Sequence, residues 1–120
     1  MAKPSFSTPL GMVDILPDET PTWRALEQII HKEAAKFNFQ EIRTPILEPT
    51  ELIKRGVGQL TDIVTKEIFA FKKGDTHYVL RPELTAPVVR SFVQHHLDKR
   101  GGVQKLYSIG PMTRAERPQK

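Results

Sequence analysis

The sequence predicts an α+β fold, a mostly antiparallel sheet flanked by helices. Three observations predict it. Two segments, one beginning near Thr20 and one near Thr85, carry apolar residues at helical spacing. Several short runs rich in β-branched and aromatic residues lie between and after them. Glycine, proline and asparagine punctuate the boundaries, and no internal repeat or low-complexity tract interrupts the pattern.

Each element can be justified in order. The first twenty residues are rich in Pro, Ser and Thr and read as an extended leader containing Gly11-Met12-Val13-Asp14-Ile15-Leu16-Pro17. Thr20-Pro21 reads as a helix start, with Thr20 as N-cap and Pro21 at the first helical position. Trp23, Leu26, Ile30, Ala34 and Phe37 then form one stripe, expected to pack into a core, and Asn38 ends the helix by tolerating the left-handed conformation. Phe39–Arg43 reads as a strand, Pro45 marks an edge or bend, and Ile46-Leu47-Glu48 resumes the extended chain. Residues 51–55 suit a short helix, and Arg55-Gly56-Val57-Gly58-Gln59 a flexible loop. That loop lacks the third glycine and the Lys-Ser/Thr of phosphate-binding fingerprints, which argues against a Rossmann or P-loop site. Glu67–Phe71 and Thr76–Leu80 read as a hairpin turned by Lys73-Gly74-Asp75. Thr85 is expected to cap a helix whose apolar face is Val89, Phe92, Val93, His96 and Leu97, stopped by Gly101-Gly102. Lys105–Ile109 is a further strand, and Met112–Glu116 is expected to extend the sheet.

Composition bounds the function. With 120 residues, 38% hydrophobic and 27% charged, the chain fits one ordinary globular domain. The net charge of +4 is uneven: from Lys99 onward Lys99, Arg100, Lys105, Arg114, Arg117 and Lys120 face one acid, Glu116. A basic end suits a polyanion such as RNA or a nucleotide, and also suits a solvated surface. The absence of cysteine removes disulfides and thiolate zinc sites, and fits a reducing compartment. No apolar run is long enough to span a bilayer, and Met1–Phe6 has no signal core, so a cytoplasmic protein without a membrane partner is expected.

Candidate chemistry gathers near the end of the chain. Arg114 and Glu116 would share one strand face. A guanidinium there could bridge two anions, or the two side chains could form a surface pair of little consequence. Glu83 follows Arg81-Pro82 where the chain leaves a strand, so it could present a carboxylate to a cleft or lie in an exposed turn. Thr85 could add a hydroxyl acceptor or only cap the helix. Arg117-Pro118-Gln119-Lys120 offers fork, amide and ammonium donors, or forms a mobile basic tail. His31, His77, His95 and His96 form no metal pair or Ser-His-Asp arrangement, and none is assigned a role; no metal ligand set is expected.

These segments, in order, resemble the histidyl-tRNA synthetases, members of the class II aminoacyl-tRNA synthetases. The resemblance runs from Gly11–Pro17 through Phe39–Glu48, which is similar to class II motif 1. It continues through Gly56-Val57-Gly58, Thr61-Asp62-Ile63-Val64 and Lys66-Glu67. Arg81-Pro82-Glu83 with Thr85, then Gly110-Pro111-Met112 with Arg114 and Glu116-Arg117-Pro118-Gln119, complete it.

The resemblance implies a class II-like catalytic core, with residues 1–120 its N-terminal part: motif 1 and the first half of motif 2. It implies histidine–tRNA ligase activity, with ATP as substrate accompanied by Mg2+, and tRNA(His) as acceptor in a homodimer. Glu83 and Thr85, with Leu84 between them, would bind the histidine amino group. Arg114 would bridge the histidine carboxylate and the α-phosphate and act catalytically. Glu116 would lie by the adenine, Arg117 and Gln119 by the tRNA acceptor end, and Pro45 at the dimer interface. Two positions depart from the family pattern: Leu84 replaces a common glycine and Thr113 a usual phenylalanine. The rest of motif 2, motif 3 and the anticodon-binding domain fall outside the 120 residues, so this piece alone is expected to be inactive. Two alternatives are a histidine-sensing regulatory subunit of ATP phosphoribosyltransferase, a paralogue that charges no tRNA, and an inactive dimerisation fragment.

Overall fold

The structure is a computed structural model that describes residues 6–57 and 66–115. The chain forms two compact units, Met1–Asn38 and Phe39–Lys120.

In the first unit a leader precedes helix α1 (Thr20–Lys36). The expected start is off by one residue. Glu19 is the N-cap, Thr20 is already helical, and the Thr20 hydroxyl donates to the Pro17 carbonyl instead of capping. The Glu19 carboxylate reaches back to the Leu16 N–H at 3.2 Å. Asn38 adopts φ +60°, the left-handed stop expected of it. The apolar stripe is not a core: Trp23 is 50% exposed and Phe37 64%, and no residue of α1 is buried. A leader and one helix supply no second apolar layer within this unit.

The second unit holds the site. Strands β1 (Gln40–Glu41) and β5 (Leu106–Tyr107) pair in parallel, so both strands expected here are shorter than the patterns suggested. Strands β2 (Leu47–Pro49), β3 (Ala70–Lys73) and β4 (Thr76–Leu80) form an antiparallel sheet in the order β2-β4-β3. The α+β, mostly antiparallel expectation therefore holds. Gly74 at φ +61° makes the expected hairpin turn, and Phe71 packs on Tyr78 across it with ring centroids 5.6 Å apart. Pro49 is tolerated because β2 is an edge. Pro45 lies in the bend before it, exposed.

Helix α2 (Thr50–Val57) runs further than the expected 51–55 and absorbs Gly56 and Val57, which the sequence reading placed in a loop. Gly56 faces Ala86 of the next helix closely enough that an added Cβ would lie 3.5 Å from the Ala86 Cβ. That helix, α3 (Thr85–Gln94), leads into a 3-10 turn (Leu97–Arg100). Its expected apolar face is largely wrong. Val89 and Val93 are more than half exposed, while Pro87 and Ser91 are buried; of the expected face Leu97, beyond the helix, is the buried member. Helix α3 packs on α2, and Ala86 meets the core of Ile53, Ile68 and Val79.

The sheet register forces one charge inward. Glu48 pairs with Val79, so both side chains share the covered face, and Glu48 is 2% exposed. Arg90 of α3 meets it as a fork, Nη2 to Oε1 at 2.6 Å and Nε to Oε2 at 3.1 Å, with Gln94 accepting from Nη1. Among the described residues this is the ion pair that ties the helix layer to the sheet.

Residues 111–115 carry no assigned strand, contrary to the expected sheet extension. Thr113 N donates to the Arg81 carbonyl and Ala115 N to the Glu67 carbonyl. These acceptors lie beyond the ends of β4 and β3, so no continuous ladder forms. The Thr113 hydroxyl is buried and has no partner among the described residues. A Thr113→Val variant, nearly isosteric, is therefore expected to be more stable by about 1 kcal/mol, read as a rise in the urea midpoint at unchanged slope.

Candidate functional site

The turn Pro82-Glu83-Leu84 sits between β4 and α3. Pro82 is buried, and Glu83 and Leu84 are half-buried. Thr85 is not the cap expected of it. It is the first helical residue, Leu84 is the N-cap, and the capping acceptor is the carboxylate of Glu83. Thr85 N donates to Glu83 Oε2 at 2.6 Å, and Ala86 N to Oε1 at 3.0 Å. Two of the helix's first amides are thus satisfied, and the carboxylate is held in one orientation at the positive end of the helix. A carboxylate has about four lone-pair sites, so these bonds leave acceptor capacity.

Glu83 and Thr85 line an open cleft of about 680 Å3, together with Leu52, Arg55, Gly56, Ala86 and Val89. The cleft is thus lined from α2 and α3 and the turn before α3, mostly by apolar residues, with the acid Glu83 and the base Arg55 among them. Arg114 is not among its described lining residues. It stands beside the same turn, where its Nε donates to the Pro82 carbonyl at 2.9 Å. A guanidinium and the Glu83 carboxylate are therefore held on successive residues of one turn. Glu116, Arg117 and Gln119, and the segment from Gly58 through Val64, lie outside the described residues. The expectations resting on them have no structural counterpart here. Among the described residues there is no group of three or more His, Asp or Glu that could hold a metal ion.

Sequence reasoning overlooked Arg81. It read this residue only as the first letter of a motif, yet Arg81 is 5% exposed. Its Nε donates to the Pro111 carbonyl at 2.9 Å. Its Nη1 reaches the Thr44 carbonyl at 2.8 Å, the Thr44 hydroxyl at 3.0 Å and the Pro45 carbonyl at 3.4 Å. Gly110 is required beside it, because an added Cβ would overlap Arg81 Nη2. The Gly110-Pro111 pair was the available signal, and it is uninterpretable without knowing what approaches the glycine. The place of Arg55 and Gly56 in the cleft wall was missed because Gly56 and Gly58 suggested a loop there.

Comparison with known proteins places this arrangement. The fold is similar to that of apo histidyl-tRNA synthetase from S. aureus, with a TM-score of 0.76 and 38% identity over 89% of this chain and 29% of that one. It is also similar to an ATP phosphoribosyltransferase regulatory subunit/histidyl-tRNA synthetase from Bacillus halodurans C. There the TM-score is 0.77 and the identity 28%, over 94% of this chain and 29% of that one. The architecture is that of a class II aminoacyl-tRNA synthetase core. A family profile described as histidyl-tRNA synthetase matches residues 11–120. The chain belongs to the histidyl-tRNA synthetase family. The histidine–tRNA ligase of Solibacter usitatus (strain Ellin6076) is 53% identical over 111 residues, which is 92% of this chain and 27% of that protein. The chain thus spans about a quarter of the length of the curated relatives it matches. Among the described residues no helix is long and apolar enough to cross a membrane.

Proposed function

We propose that the whole protein containing these residues is a histidine–tRNA ligase, which activates histidine with ATP to histidyl-adenylate and transfers the histidyl group to tRNA(His). One observation carries this reading: the Arg114 Nε bond to the Pro82 carbonyl sets a guanidinium beside the Glu83 turn. Activation brings two anions together. A histidine carboxylate oxygen attacks the α-phosphorus of ATP, and pyrophosphate leaves. A planar guanidinium between them offsets the repulsion and takes up charge developing on the phosphoryl oxygens. Glu83 accepts from the histidine ammonium with the lone pairs that the helix amides leave over, and Thr85 adds a hydroxyl nearby. Leu84 narrows the wall beside them.

In the same reading Glu116 meets the adenine end of ATP, and Arg117 and Gln119 the acceptor end of the tRNA. Mg2+ arrives on the ATP phosphates as part of the substrate, consistent with its preference for phosphate oxygens over all-protein cages. Residues 1–120 form the N-terminal part of the catalytic domain, motif 1 and the first half of motif 2. Exposed Pro45 lies at a homodimer interface, and the protein works in the cytoplasm. Residues 1–120 alone lack most of the substrate machinery and are expected to be inactive.

The likeness to the Bacillus halodurans protein supports a second reading, a histidine-sensing regulatory subunit. The higher identity to a protein named histidine–tRNA ligase favours the first. A charging assay on the whole protein separates them. Histidine ligated to tRNA is the expected result, whereas histidine binding without ligation supports the regulatory reading. Histidine-dependent pyrophosphate exchange by residues 1–120 alone would reject the inactive-fragment expectation.

A further inference from the structure

We propose that Arg81 is a positioning residue for the activation step. Its buried guanidinium fixes residues 110–114 against the Pro82-Glu83 turn and so aims Arg114, and Gly110 provides the clearance. Its functional meaning rests on the ligase reading above, while its geometry stands independently.

Three features set Arg81 apart. First, it is a buried cation whose partners among the described residues are all neutral oxygens, four of them, from Thr44, Pro45 and Pro111. Arg90, a forked arginine of the same unit, has a carboxylate partner. A buried charge is a poor device for stability alone, since apolar packing of similar volume often serves as well. Second, those oxygens come from two distant stretches, and a rigid fork of donors can address both directions at once. Third, the main chain of the same residue repeats the connection. Arg81 N donates to the Ile46 carbonyl at 2.9 Å, and Thr113 N donates to the Arg81 carbonyl at 3.1 Å.

The consequence reaches the site one residue further on. Bonds that join the 111–114 segment to 81–82 include Arg81 Nε to Pro111 O, Thr113 N to Arg81 O, and Arg114 Nε to Pro82 O. The first of these is made by the Arg81 side chain and clamps the start of the segment. Without it the start of the segment loses its side-chain clamp, and the seat of Arg114 on the Pro82 carbonyl is loosened. The guanidinium cannot yield to a side chain at position 110, because Nε and Nη1 are both tethered while Nη2 faces Gly110.

The test uses the whole protein with Arg81→Lys, which keeps the charge and loses the fork, and with Gly110→Ala, which keeps the fork and fills its clearance. Leu97→Ala, at a buried residue of the 3-10 turn, is the control for lost stability. Histidine-dependent pyrophosphate exchange is measured below the melting range of every variant. The Arg114 Nε–H resonance is followed in 15N-arginine-labelled protein. Arg81→Lys is expected to lower kcat by about 10- to 100-fold, with much less change in KM for histidine. It is also expected to move the Arg114 resonance to the position of a solvent-exposed arginine. Gly110→Ala should act in the same direction, and Leu97→Ala should lower Tm while leaving kcat and the resonance in place. Folded Arg81→Lys with wild-type kcat, or with an unmoved Arg114 resonance, overturns the proposal. If Arg81→Lys does not fold, Gly110→Ala and Thr44→Val, which removes one acceptor, are judged by the same two criteria. Absence of exchange in the unmodified protein defeats the ligase reading, while the resonance still decides whether Arg81 positions Arg114.

Discussion

Replacing Arg114 with Ala in the whole protein is expected to slow adenylate formation by about two orders of magnitude or more. The expectation comes from the charge balance of the step. Carboxylate and triphosphate repel each other in the ground state, and the α-phosphoryl oxygens carry the developing charge. A guanidinium fixed in advance needs no reorganisation at the moment of attack. Its Nε bond to the Pro82 carbonyl is that fixation. Arg114→Lys is expected to recover only part of the rate, because an ammonium is a point charge and cannot hold oxygens of both anions in a plane. Single-turnover measurement of histidyl-adenylate separates this loss from any change in release. A near-normal rate in Arg114→Ala would remove the residue from the mechanism.

The largest stability effect is expected at the Glu48–Arg90 pair. Arg90→Met leaves a carboxylate that is 2% exposed with no cation facing it. Breaking a buried pair in this way costs about 3–5 kcal/mol, and the low end is appropriate because the Arg90 side chain is 24% exposed. That is about a sixth to a half of the stability of a 120-residue domain at about 0.05–0.15 kcal/mol per residue. The double variant Glu48→Leu with Arg90→Met should restore most of the loss, since apolar groups can replace such a pair without an orphaned charge. Urea denaturation of the four proteins, wild type, both singles and the double, gives the coupling energy directly. If Arg90→Met lost less than about 1 kcal/mol, the pair would be no stronger than an exposed one.

Much of the second unit was legible because its signals are local. The hairpin at Gly74 depends on a positive φ that few residues tolerate, and the strands beside it are β-branched and aromatic. Pro45 and Asn38 likewise act through their own backbone preferences. The errors share a cause. The stripe of α1 and the Val89-Phe92-Val93 face of α3 have correct helical spacing, yet spacing says only that a face is apolar. Whether anything covers it depends on segments elsewhere. Thr85 and Thr20 carry the right residue type for a cap, but the first amides of α3 are taken by the Glu83 carboxylate, and α1 has Glu19 at the N-cap with no side-chain capping bond. The glycines after Arg55 hid the last residues of a helix that packs on α3.

The candidate site divides in the same way. Glu83, Thr85 and Arg114 were singled out as candidates from their motifs. What brings Arg114 to the turn that carries Glu83 is a bond across 32 residues, from Arg114 to the Pro82 carbonyl. Arg81 and Gly110 have meaning only as a pair in contact, so no reading of either position alone could assign them. The sequence by itself determined the helices, the hairpin, the bends and the residue types able to handle a carboxylate, an ammonium and a phosphate. Those depend on backbone preference and side-chain chemistry, which each residue carries with it. Only the tertiary structure decided that Glu48 is buried opposite Val79, that Arg90 must answer it, and that Arg81 gathers carbonyls from two distant stretches. Burial and hydrogen-bond direction are properties of what surrounds a group, and those surroundings exist only once the chain has folded.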